Sequence, residues 1–455
     1  MQSGPFDKAV AHVNSLSAKL KSSAKPVNPN GINKIITTAS YDSDTANTGF
    51  FVKFYAPWCG HCKHLAPIWE EFAYHMADRV NVGEVDCTVE GKVCARNGIR
   101  GYPSLKWVTE LGSIDFVGRR TVEGLSAFAE GFSKPPVTVV KASEIKSILK
   151  TKEVALFYIY DAATISDDHL SNFLKVAASV QTLVPIYLTP DYEAAIKLFR
   201  IPESHGTEFP LLITAKDGGM DQKVYNPPLT PLAEKSQQQS LRKWILDNKH
   251  PLVPALTDFN SREILGTSDS PKLVVLGLFN GNDGAKVDEI RLAAREWSSK
   301  HSDNSKTNVV FTWLDGREKQ DYLKKAYGIK SLDELPKVIV VDSNEEEIYR
   351  KDKAGADFVL ESAALVANVR LIVDGKLKGV HINGAMGAFM KQFEKTMKPL
   401  LDFIATYPTL FVLGCVAFVI GLLWWLLSDP VADSTAAERT PLNEKKRAES
   451  NKKDD

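Results

Sequence analysis

The stretch Phe50 to Pro67, FFVKFYAPWCGHCKHLAP, decides the fold. Its first half is an aromatic-rich apolar run stopped by Pro57, the pattern of a strand buried on both faces. Cys59 and Cys62 follow three positions apart, where a helix is expected to begin. That spacing puts both sulfurs on one helical turn. A cysteine at a helix start faces the positive end of the helix dipole, which favours thiolate over thiol. Because a thiolate is the species that attacks disulfides, the segment reads as a dithiol exchange site.

Outward from this point, a strand, helix, strand, helix, strand pattern occurs three times. The first copy spans 27–136, with VNVGEVD ending at Asp86 and SLKWV after Pro103. The second, 137–250, runs VALFYIYD, a helix from Asp167, VPIYLTPD, a helix at Tyr192 and FPLLITA. The third, 251–380, runs KLVVLGLFN, a helix from Asp288, NVVFTWLD, a helix near Lys319 and LPKVIVVD. Pro103, Pro210 and Pro336 each stand just before the second long apolar strand. Alternating strands and helices predict an α/β class with helices on both faces of each sheet. Only the first copy keeps cysteines, so thiol chemistry is confined to it.

At 455 residues the chain fits about three domains of ordinary size. Fifty-six basic residues balance 56 acidic ones, and nothing resembles a nucleic-acid footprint. Five cysteines are too few for a disulfide scaffold. Cys87 and Cys94 could complete a zinc site with Cys59 and Cys62, but zinc knuckles need tight turns rather than a buried strand and long helix. A structural disulfide between a strand end and the next helix is the expectation for Cys87 and Cys94; in a reducing compartment they would be free buried thiols. No metal or other cofactor is expected. His64 and His75 share a helix and read as surface residues.

Pro408 to Leu427, PTLFVLGCVAFVIGLLWWLL, is an uncharged apolar stretch of spanning length. Tyr407 at one edge and Trp424 and Trp425 near the other suit the interfaces, so 407–427 is expected to be a transmembrane helix. An amphipathic juxtamembrane segment, 381–406, precedes it, and a polar tail, 428–455, follows. Residues 1–26 carry an amphipathic spacing (Phe6, Val10, Val13, Leu16, Leu20) without the apolar core of a signal peptide. They stay unassigned. Asn-x-Ser/Thr is absent from the sequence, which lends no support to a lumenal reading.

With WCGHCKHLAP, VDCT and RGYPSLKW in place, the chain resembles the protein disulfide isomerase family. One redox-active thioredoxin-like module, two cysteine-free ones, a single span and a short tail make it similar to the membrane-bound, thioredoxin-related type. The resemblance implies that Cys59 is the exposed nucleophile and Cys62 the buried resolving thiol of a Cys59–Cys62 redox disulfide. It further implies that His61 favours the reduced thiolate, and that Trp58, Tyr102 and a cis Pro103 border the substrate. Arg120 matches an arginine expected to approach the resolving cysteine and lower its pKa. One position departs from the family: a buried acid is usual where this chain has Lys53, paired with a lysine where it has Glu84. The pair looks charge-swapped, and Glu84 is expected to take the proton of Cys62.

The implied partners are unfolded or disulfide-bonded client proteins, with glutathione or another thiol oxidoreductase exchanging electrons. Lys452 and Lys453 resemble a dilysine retrieval signal of endoplasmic reticulum membrane proteins. Together these features predict a single-pass membrane oxidoreductase with its modules in the lumen and its tail in the cytosol. Two other readings stay open: a membrane-tethered chaperone or retention adaptor with incidental exchange, and a tail-anchored cytosolic reductase.

Overall fold

The computed structural model describes residues 4–22, 28–45, 49–201, 210–226, 229, 232–258, 260–265, 272–300, 308–382 and 419–420. Residues 1–380 form one compact unit. Its elements, in chain order, begin with helix α1 (Pro5–Ser22). The first module follows: β1 (Lys34–Ile35), α2 (Tyr41–Thr45), β2 (Phe50–Tyr55), α3 (Gly60–His75), β3 (Asn81–Asp86), α4 (Gly91–Arg96), β4 (Ser104–Thr109), β5 (Gly112–Asp115) and α5 (Val122–Ser133). The second comprises β6 (Thr138–Val139), α6 (Ala142–Thr151), β7 (Val154–Ile159), α7 (Asp167–Ala178), β8 (Ile186–Thr189), α8 (Tyr192–Phe199), β9 (Leu211–Lys216), β10 (Asp221–Val224) and α9 (Lys235–Asp247). The third comprises α10 (Ser261–Ile264), β11 (Leu273–Phe279), α11 (Gly284–Lys300), β12 (Val309–Asp315), α12 (Gln320–Tyr327), β13 (Lys337–Asp342), β14 (Glu347–Tyr349) and α13 (Ser362–Val373).

The three sheets share one order. In the first, β1-β3-β2-β4-β5, the strands β1, β3 and β2 are parallel while β4 and β5 turn antiparallel. The second, β6-β8-β7-β9-β10, repeats it, and β12-β11-β13-β14 repeats it in the third. There an isolated parallel bridge between Ala255 and Trp313 stands where the other two modules have a first strand. The central strands β2, β7 and β11 are buried along their length, as parallel strands covered on both faces must be. Each sheet accordingly separates two apolar layers, such as Phe51, Trp69 and Phe72 on one face of the first and Val52, Phe54 and Val85 on the other. Helix α11 begins at Gly284, four residues before the expected start at Asp288.

The amphipathic stripe near the amino terminus finds an unexpected partner. Val13 and Leu16 of α1 belong to the core of the second module, with Leu170 and Phe173 of α7. His12 Nε2 lies 2.8 Å from Asp167 Oδ1 at the start of α7, and Lys141 stands over the Phe6 ring. The segment left unassigned is therefore a structural part of a module that begins more than a hundred residues later. Its apolar spacing was visible in sequence; its partner was not, because periodicity names a face and not what covers it.

Among the described residues no helix is long and apolar enough to cross a membrane. The expected span, 407–427, lies outside them except for Val419 and Ile420, as do most of the juxtamembrane segment and the whole tail with Lys452 and Lys453.

Candidate active site

The first module places its two free cysteines at the junction of β2 and α3. Cys59 is the N-cap of α3 in extended backbone conformation, and its carbonyl accepts the Cys62 and Lys63 amides at 3.1 Å each. It is partly exposed, whereas Cys62, one turn in, is 4% exposed. The helix itself forms because Leu65, Trp69, Phe72 and Ala73 line one face against the sheet.

The two thiols differ sharply in acidity. The Cys59 thiol is held below its ordinary value, chiefly by a hydrogen bond donated by the Cys62 thiol, aided by the Cys62 and His61 backbone amides and the Arg120 charge. Burial pushes the Cys62 thiol up, as does its hydrogen bond to Cys59, while the Ala56 backbone and the Lys53 charge act downward. One sulfur is thus prepared as the anion and the other as its donor.

Tyr102 and Pro103, joined by a cis peptide bond, face this pair. The Cys59 sulfur lies 3.6 Å from the Tyr102 carbonyl. Arg120 Nη2 donates to the Pro103 carbonyl at 3.0 Å, which fixes the guanidinium on the Cys59 side. Its charge is felt at Cys59, the nucleophile position, whereas the resemblance implied an action on Cys62. The ring of Trp58, 71% exposed, stands edge-on to Tyr102 at 6.0 Å between centroids. His61 is exposed, and its backbone amide rather than its ring meets the Cys59 sulfur.

Beneath the cysteines, β2 and β3 run parallel with Lys53 opposite Glu84. That register puts both side chains on the α3 face of the sheet. Lys53 Nζ meets Glu84 Oε2 at 2.6 Å, with side chains only 4% and 16% exposed. Asn33 Nδ2 donates to the same carboxylate oxygen at 2.8 Å, and its Oδ1 accepts Trp69 Nε1 at 3.2 Å. Asn33 belongs to this network although no motif marks it. The Lys53 ammonium lies 5.2 Å from the Tyr55 ring centroid.

Cys87 and Cys94 are joined, with an S–S distance of 1.96 Å, across the end of β3 and the helix α4. The four sulfurs of the module therefore fall into two separate pairs and do not converge on a common centre.

Residues 33–131 match the thioredoxin family model, and residues 193–358 match the model of a thioredoxin-like domain. The chain is built of tandem thioredoxin-like domains. The thioredoxin-like chain is 24% identical over 339 residues to a protein disulfide-isomerase of Drosophila melanogaster, covering 73% of this chain and 62% of that one. It is 22% identical over 390 residues to the protein disulfide-isomerase TMX3 of Xenopus laevis, covering 84% of this chain and 78% of the frog protein. It spans less than two thirds of the length of the fly relative. Among solved structures, form I of human ERp44 superposes with a TM-score of 0.53 at 18% identity, over 76% of this chain and 86% of that one. At that identity the likeness concerns the fold.

Proposed function

We propose that this chain is a thiol–disulfide oxidoreductase of the protein disulfide-isomerase kind, acting on proteins through Cys59 and Cys62. The observation that carries the reading is the asymmetry of the pair: an acidified, accessible sulfur hydrogen-bonded by a buried, protonated one, facing the Tyr102–Pro103 peptide. Relatives bearing the isomerase name support it.

The Cys59 thiolate attacks one sulfur of a client disulfide in line. A Cys59–client S–S bond forms, the client bond breaks, and the leaving sulfur departs as a thiolate that takes a proton. Cys62 then loses its proton and attacks the Cys59 sulfur. The client leaves reduced by two electrons, and Cys59–Cys62 is left as the disulfide. Run backwards, the same steps oxidise a client dithiol. Proton removal from Cys62 is assigned to the Lys53–Glu84 pair: the Lys53 charge favours the thiolate, and Glu84 accepts the proton. Trp58 and Tyr102 offer the apolar border of the client strand.

Wild type is expected to reduce insulin with a thiol donor and to refold scrambled ribonuclease, and Cys59→Ser to do neither. Equal rescue by the variant would leave only a binding role. Replacing Glu84 with Gln should slow resolution of the mixed disulfide in a single-turnover assay; an unchanged rate removes Glu84 from the mechanism.

Anchoring in the endoplasmic reticulum membrane with the modules lumenal belongs to the same proposal. It is supported by the uncharged apolar stretch 408–427, the Lys452–Lys453 tail and the Cys87–Cys94 disulfide, which an oxidising compartment sustains. The name of the frog relative points the same way. Protease protection of residues 1–380 in intact microsomes is the expected result. Digestion from outside would place the modules in the cytosol and turn the reading toward a reductase.

A further inference from the structure

A cavity of about 570 Å³ lies between the second and third modules, far in sequence from the cysteines. Its walls come from the end of β9, from β10, from the linker after α9, from α11 and from β12. Leu252, Ile264, Val310 and Phe311 supply apolar surface. The charges are less ordinary. Glu263 is engaged by Lys249 at 2.7 Å and His250 at 3.2 Å, and Asp247 by Lys243 at 2.6 Å. Lys272 donates to the Glu263 backbone carbonyl. That leaves Lys216, Lys223 and Arg295 with Asp221 in the lining, and with Asp217, itself paired to Arg291, acting on Lys216 as well.

One of these cations has buried nitrogens without hydrogen-bond partners among the described residues. Arg295 Nε and Nη2 are both shielded from solvent and both unpaired. These two nitrogens form one edge of the guanidinium, the fork that takes a carboxylate or phosphate through two parallel hydrogen bonds. Lys216, which ends β9, is 8% exposed, and the Asp221 and Asp217 charges offset only part of the cost of burying its ammonium. Burial, with the like charge of Lys223, lowers its pKa to about 8 in spite of those two carboxylates. A guanidinium keeps its proton, so an anion on the unpaired edge would satisfy both nitrogens at once.

We propose that this cleft binds a small organic anion, its carboxylate or phosphate on the Arg295 Nε/Nη2 edge beside Lys216 and its apolar body against Leu252 and Phe311. The cavity falls in the range of small-ligand pockets. The inference is independent of the thiol chemistry, since no cysteine takes part.

The test uses the full chain in detergent with benzoate and phenyl phosphate as probes, at constant ionic strength set with chloride. Saturable binding of at least one probe by calorimetry is expected, and which one binds tells carboxylate from phosphate. Arg295→Gln and Lys216→Met should each weaken it about tenfold or more, and Arg295→Lys, which keeps the charge but loses the fork, should weaken it as well. Arg79→Gln, on the surface of the first module, should bind as wild type. A second readout needs no variant: the bound probe should protect Lys216 from acetylation, mapped by mass spectrometry. Absence of saturable binding by both probes, or equal affinity in the Arg295 and Lys216 variants, or unprotected Lys216 under saturation, overturns the proposal. Insulin reduction in the same samples reports the cysteines separately.

Discussion

Cys59 owes its acidity first to a neighbouring side chain and only then to backbone amides and to the Arg120 charge. This has a testable sign. Cys62→Ala removes the largest contributor, so the pH midpoint for alkylation of Cys59 by iodoacetamide should rise toward that of an ordinary thiol. Arg120→Ala should raise it by less. The Lys53–Glu84 pair makes a different prediction. Lys53→Met leaves a nearly buried carboxylate without its cation and should cost about 3–5 kcal/mol in urea denaturation, whereas Lys53→Met combined with Glu84→Met should regain most of that loss. At this scale the sequence was legible where a motif carries its own chemistry, as at Cys59 and Cys62. It was less so where the effect is delivered by geometry: the contribution at position 61 comes from a backbone amide that any residue but proline would supply. Asn33 was silent because its role exists only once Glu84 and Trp69 have been brought beside it.

At the scale of elements, the three modules could be read from the alternation of apolar strands and helices, and their central strands β2, β7 and β11 lie where continuous apolar runs placed them. The Lys53–Glu84 register follows from the same parallel pairing. Helix α1 was legible as an amphipathic face but not as part of the second module, since nothing local encodes a contact made across an intervening domain. The packing of α1 sets the next prediction. Leu16, 4% exposed in the second module's core, should cost roughly 2–5 kcal/mol when replaced by Ala. The change should speed hydrogen exchange in α7 while α3 stays protected, which distinguishes loss of this docking from general unfolding.

At the scale of the molecule, the seam between the second and third modules combines an ion pair, Arg291 Nε to Asp217 Oδ1 at 3.0 Å, with the unpaired Arg295 Nε and Nη2 and the buried Lys216. The Lys216 proton makes this measurable. Its folded pKa, about 8, lies below the ordinary 10.5. Below pH 8 both folded and unfolded chains carry the charge, and the folded one bears the cost of burying it. Between pH 8 and 10.5 only the unfolded chain keeps the proton, so this group makes stability climb with pH across that window. Lys216→Met should therefore be more stable than wild type at pH 7, by on the order of 1–3 kcal/mol, with the advantage fading above pH 10. Denaturation of both proteins at pH 7 and pH 10 checks the sign.

The reach of α1 over the first module also bears on how the chain is made. His12 and Asp167 meet although they stand 155 positions apart in the sequence. During synthesis the helix leaves the ribosome before the surface it must cover, which is translated only after the whole dithiol domain has appeared. Until then its apolar stripe is free to be held by chaperones or to stick to other nascent chains. Closing so long a loop is slow compared with local folding, so the redox domain is expected to be competent before its neighbour has acquired its last helix.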